Sequence, residues 1–110
     1  MTEELTEELL GSVDVARLTG ASYRQLDYWC SNGLVPGQAS RSGQGNRRWF
    51  TYAQIRHVRA LLALTGAGVV GDALRDASLR LDDPKLDWFR PLTLTYVQHC
   101  SLCLDLPALR

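Results

Sequence analysis

The chain reads as a mainly α protein, a winged helix-turn-helix of four short helices and a β-hairpin wing, with a small C-terminal β-hairpin. Three observations carry that expectation. Two short helical stretches, each with its own stop signal, meet through Gly20-Ala21. Residues 35–46 then contain one proline and three glycines and show no apolar period. The next helical stretch opens on a fresh capping pair, Thr51 with Gln54.

Residues 1–10 are acidic and read as a frayed arm or a short helix. Ser12 is placed to cap a first helix whose apolar positions Val13, Ala16 and Leu18 lie close to one face, and Gly20 stops it. Ser22 starts a second helix with Gln25 three residues on, a capping-box arrangement. Leu26, Trp29 and Cys30 follow at helical spacing, and Gly33 falls at the position past the end. The run Arg47-Arg48-Trp49-Phe50 is expected to be a strand that pairs back with Leu34-Val35, forming the wing. Ile55, Val58, Leu62 and Thr65 keep one face of the third helix, widened by Leu61, before Gly66 and Gly68 interrupt it. Val70, Leu74, Ala77 and Leu81 outline a fourth, with Asp76 and Arg80 one turn apart as an ion pair, and Asp82-Asp83-Pro84 ends it. Residues 92–97 and 101–106 alternate in polarity, which favours a hairpin turning near 98–100 over a helix through the same residues. The expected organisation is an arm at 1–11, the winged domain at 12–81 and an extension at 82–110 that packs on the domain or docks a partner.

A formal net charge of zero conceals an uneven distribution. Residues 11–66 carry seven arginines against Asp14 and Asp27, a balance of +5, and the remaining residues carry −5. A basic middle between acidic ends suits a polyanionic partner better than a neutral average suggests. Nothing in the N-terminus resembles a signal peptide and no apolar run is long enough to span a bilayer, so a cytoplasmic protein without membrane contact is expected. Three cysteines, Cys30, Cys100 and Cys103, are then expected as reduced thiols.

The residues that carry function follow from how a helix enters the major groove. It must present hydrogen-bonding side chains near its N-terminus. Here that end holds Ser22, Tyr23, Arg24 and Gln25. Arg24 has the fork for a guanine edge, while Gln25 serves either an adenine or the helix cap. Arg41, Gln44, Asn46, Arg47 and Arg48 stand in or beside the glycine-rich loop, where close backbone approach and arginines suit phosphates or the minor groove. Arg56 and Arg59, on the polar side of the third helix, read as solvated charges.

The ordered runs LTGASYRQLDYWCSNGLVP and RRWFTYAQIRHVRALLALTGAGV, separated by the Gly/Ser/Arg loop, resemble the MerR-type DNA-binding domain over roughly residues 12–80. The resemblance implies double-stranded DNA as partner and a transcription-regulating role. It aligns Tyr28 with an aromatic whose hydroxyl meets the phosphate backbone, against the plainer reading of a half-buried ring. It aligns Trp29 with a core residue, Arg48 with the wing arginine and Phe50 with the packed wing aromatic. Two features depart from the pattern. Asp27 stands where a basic residue is usual, so it either repels phosphate, meets a cytosine amino group or pairs with a wing arginine. Pro84 and Pro91 interrupt the region where such proteins continue into a long dimerisation helix, so the chain is expected to lack that helix, and whether it pairs as a homodimer or lines up as a cooperative array on DNA stays open.

Two other functional classes share these features. A phage-type excisionase would use the same winged domain to bend DNA, and an interaction module would dock RNA polymerase or a sigma factor through Trp88, Phe89, Leu92, Leu94 and Tyr96. His99, Cys100 and Cys103 form an HCxxC cluster short of the four ligands that zinc requires, and ordinary packing is expected of them, with no metal or other cofactor. The sequence holds no nucleophile–base–orienter set and no phosphate-cradling glycine motif, so an enzyme is not expected.

Overall fold

The computed structural model describes residues 9–38, 48–95 and 101–109. They form two compact units, residues 1–58 and 59–110, with the boundary inside one helix. The protein is a mainly helical winged helix-turn-helix, as the sequence predicts. No described helix is long and apolar enough to cross a membrane.

In the first unit, strand β1 (Leu10–Gly11) leads directly into helix α1 (Ser12–Thr19). The turn after α1 is built locally. Gly20 takes φ 88°, a left-handed conformation that costs glycine little, and its N–H reaches the Ala16 carbonyl at 2.8 Å. Thr19 Oγ1 donates to the Val15 carbonyl at 2.7 Å and accepts from the Ala21 N–H at 3.2 Å, so the buried Ala21 enters the turn with its backbone satisfied. Helix α2 (Tyr23–Ser31) follows, packed against α1. Its end is a Schellman closure: Gly33, at φ 77°, donates to Cys30 and Leu34 donates to Trp29.

That closure explains one correction. Leu34 and Val35 do not pair with the wing strand. The Leu34 N–H is spent on Trp29 and the Val35 carbonyl accepts from Gln38, while both side chains are buried. Strand β2 (Trp49–Phe50) pairs instead, antiparallel, with β1, in the register Leu10 to Phe50 and Gly11 to Trp49. The arm therefore ends in a strand at Leu10–Gly11, where an acidic arm or short helix was expected. Ser12 is likewise not a cap: Gly11 holds that position without a side-chain bond, and Ser12 lies inside the helix. The core of this unit includes Val15, Leu26, Trp29, Cys30, Phe50, Ile55 and Val58.

Helix α3 (Tyr52–Gly66) begins in the first unit, where Thr51 and Gln54 form the expected capping box: the Thr51 N–H donates to Gln54 Oε1 at 2.9 Å and the Gln54 N–H to Thr51 Oγ1 at 3.2 Å. Its second half belongs to the other unit. There Gly68, at φ 95°, closes the helix before α4 (Gly71–Leu81). Leu74, Ala77 and Leu81 are buried as their spacing predicts, whereas Val70 stays exposed ahead of the helix. Asp76 and Arg80 do not form an ion pair among the described residues. The C-terminal alternation is a hairpin, β3 (Leu92–Thr95) antiparallel to β4 (Ser101–Leu104), and a four-residue helix α5 (Leu106–Leu109), unanticipated by the sequence, follows it. Trp88, Leu104 and Leu106 are buried, as are Leu61, Leu64 and Val69, while Phe89 is 71% exposed.

Candidate nucleic-acid interface

Helix α2 has two distinct faces. Leu26, Trp29 and Cys30 are buried, and Tyr23, Arg24, Asp27 and Tyr28 are exposed. At 100° per residue, Arg24 and Tyr28 stack one turn apart on the outer stripe, with Asp27 on one flank of it. The burial of Trp29 matches the core role that the resemblance implied. Tyr28 is 58% exposed, which suits a half-buried ring as well as a backbone contact.

Ser22 and Gln25 form the capping box that their spacing predicts, one of the two readings open to them. Ser22 Oγ accepts the Gln25 N–H at 3.0 Å, and Gln25 Oε1 accepts the Ser22 N–H at 3.0 Å. This capping box satisfies two amides that the first turn would otherwise leave without partners. Tyr23 and Arg24 project from the turn that the box rigidifies. At the other end, Asn32 Nδ2 donates to the Tyr28 carbonyl at 2.7 Å.

The foot of the wing is tied down by a small polar network. Gln38 Nε2 donates to the Trp49 carbonyl at 2.7 Å and to Gln54 Oε1 at 3.1 Å, and Gln54 Nε2 donates to the Pro36 carbonyl at 2.9 Å. Gly37 is left-handed at φ 84°, which favours glycine, and a Cβ there would stand 2.6 Å from Gln54 Nε2 and displace that amide. The sequence identified Gln54 as a cap but carries no local signal for its second bond to Pro36, or for Gln38, because both link residues far apart in the chain.

Arg48 is the site residue whose environment differs most from expectation. Its side chain is 8% exposed, and Nη2 lies 3.4 Å from Asp27 Oδ1 and 3.1 Å from Ser31 Oγ. Of the three fates open to Asp27, pairing with a wing-base arginine is the one found. Arg41, Gln44 and Arg47, with Asn46, lie outside the described residues, as do His99, Cys100 and Tyr96. A groove of about 600 Å³ runs beside α2, lined among others by Asp14, Tyr23, Asp27, Arg48 and the half-exposed Trp49.

A capped helix with one exposed polar stripe, set after a tight turn and beside a braced two-stranded wing base, defines the winged helix-turn-helix class of nucleic-acid-binding proteins. Within that class the chain belongs to the MerR helix-turn-helix family: the sequence model of the MerR HTH family regulatory protein matches residues 12–77, more than half of the chain. It is also similar, at 30% identity over 70 residues, to uncharacterised HTH-type transcriptional regulators of Mycobacterium bovis and of two strains of Mycobacterium tuberculosis. The similarity covers 61% of this chain and 31% of the length of each of those relatives.

Proposed function

We propose that the protein binds double-stranded DNA sequence-specifically and regulates transcription, with α2 in the major groove. The observation that carries this reading is the Arg24–Tyr28 stripe, exposed on a helix whose opposite face is buried and whose first turn is fixed by its capping box. Arg24 is assigned the base contact, since a guanidinium offers two parallel donors to a guanine edge. Tyr23 and Tyr28 flank it as backbone contacts through their hydroxyls. Arg41, Gln44 and Arg47 complete the proposal as phosphate or minor-groove contacts from the wing. Ser22 and Gln25 support the reading indirectly, by holding the helix end in shape.

Competitive gel-shift titration on a selected site and on random duplex tests the assignment. Arg24→Ala is expected to cost about 1–3 kcal/mol on the selected site while leaving random-duplex binding nearly unchanged. Equal losses on both would reduce Arg24 to a general electrostatic contact. An unchanged affinity on both would remove it from the site.

A further inference from the structure

We infer that Asp27, Ser31 and Arg48 form a clasp that sets strand β2 against the recognition helix, making Arg48 a positioning residue and not a phosphate contact. The inference deepens the DNA-binding proposal and rests on it for its binding consequences, but the clasp itself has a readout without DNA. Arg48 immediately precedes β2, whose Trp49 is paired with Gly11 and held at its carbonyl by Gln38. Those bonds place the strand against β1 and the loop at residue 38. Arg48 adds a link to α2, across 21 residues of chain to Asp27 and 17 to Ser31.

The chemistry of the three side chains fits this task. Asp27 and Ser31 are one helical turn apart, so their oxygens stand on one flank of α2. Arg48 Nη2 carries two hydrogens and serves both acceptors from the end of a planar, always charged group, which a lysine ammonium on its flexible stem does not reproduce. At 8% exposure the guanidinium would have to abandon both acceptors to meet a phosphate. Asp27, in contrast, is 75% exposed on the recognition helix, where an uncompensated carboxylate would repel DNA. The clasp accounts for both oddities together: a basic side chain withdrawn from the surface neutralises an acidic one on it.

The two partners therefore respond differently to substitution. Asp27→Asn removes a surface anion and loosens the clasp. Random-duplex affinity should hold or rise while selected-site affinity falls, about tenfold, a shift of roughly 1.4 kcal/mol. Arg48→Lys should behave like Arg48→Met on the selected site, because charge without the fork does not restore the clasp. The slope of log affinity against log salt should stay at the wild-type value in both, whereas loss of a phosphate contact lowers it by about one.

Amide hydrogen exchange on the free protein, comparing wild type with Asp27→Asn, Ser31→Ala, Arg48→Lys and Arg48→Met, tests the clasp directly. Exchange at Trp49 and Phe50 should accelerate by about tenfold in all four variants, with amides in the middle of α4 unchanged as the control for global unfolding. Should Arg48→Met fail to fold, Ser31→Ala and Arg48→Lys carry the same comparison. Unchanged exchange at Trp49 and Phe50, a salt slope reduced by about one, or full function of Arg48→Lys would each overturn the clasp. If exchange accelerates but the wild type binds no duplex, the clasp stands and the DNA-binding proposal fails.

Discussion

Cys30 lies one residue past Trp29 on the inner face of α2, fully buried and close enough to the clasp to sense its charges. Burial pushes its thiol up from 9.0 to about 11; Arg48 pulls it down and Asp27 adds a smaller upward push. The folded protein therefore holds this proton more tightly than the unfolded chain does. The corresponding stability is fully present below pH 9.0 and is lost as pH rises toward about 11. Urea melts of wild type and Cys30→Ala across that range should converge as pH rises, since only the wild type loses this contribution. Parallel pH profiles would show that Cys30 titrates alike in both states. The same group, held as a neutral thiol, is expected to resist alkylation at neutral pH until the protein unfolds.

At the scale of elements, α2 and α3 begin with reciprocal caps, whereas α1 and α4 begin without a side-chain cap. The helices of the first unit are short: α1 has eight residues and α2 nine, too few to be stable in isolation. The Ser22–Gln25 box thus contributes to both the persistence of α2 and the orientation of Arg24. Ser22→Ala is expected to cost about 1 kcal/mol of stability, lowering Tm by roughly 4–8 °C if unfolding is cooperative. Thermal melts followed by circular dichroism check the first quantity. A Tm unchanged within a degree would mean that the box forms equally well in the unfolded ensemble. These caps were legible in the sequence because both partners lie within four residues. The pairing of β2 was not. Leu34-Val35 and Leu10-Gly11 both offer short extended segments, and the choice between them turned on the Leu34 amide already serving the Schellman closure of α2.

For the whole molecule, the question raised by the apolar C-terminal segment was whether it closes a core or displays a surface. Trp88, Leu104 and Leu106 are buried, while Phe89 stays outside. Leu106, with no exposed surface, comes from a four-residue helix that has little stability of its own. Leu106→Ala should therefore destabilise the protein by about 2–5 kcal/mol, measured by urea unfolding. A loss near the roughly 0.5 kcal/mol typical of surface positions would show that α5 contributes little to that core. Phe89→Ala should fall within that smaller range. The fourth helix is followed by a hairpin and not by a long continuation, in keeping with the breaks at Pro84 and Pro91.

The sequence by itself determined helices α1 to α4, the capping boxes of α2 and α3, the C-terminal hairpin and the outward stripe of α2, but neither the start of α1 at Gly11 nor the short α5. Helical period, capping boxes and glycine stops act over a few residues, so their physics is complete in the local string. Tertiary structure alone decided which segment pairs with β2, how the wing foot is braced through Gln38 and Gln54, and where the charge of Arg48 goes. An arginine beside a glycine-rich loop reads the same whether it faces solvent or an aspartate 21 residues away. Its burial depends on acceptors that only the folded chain brings within reach.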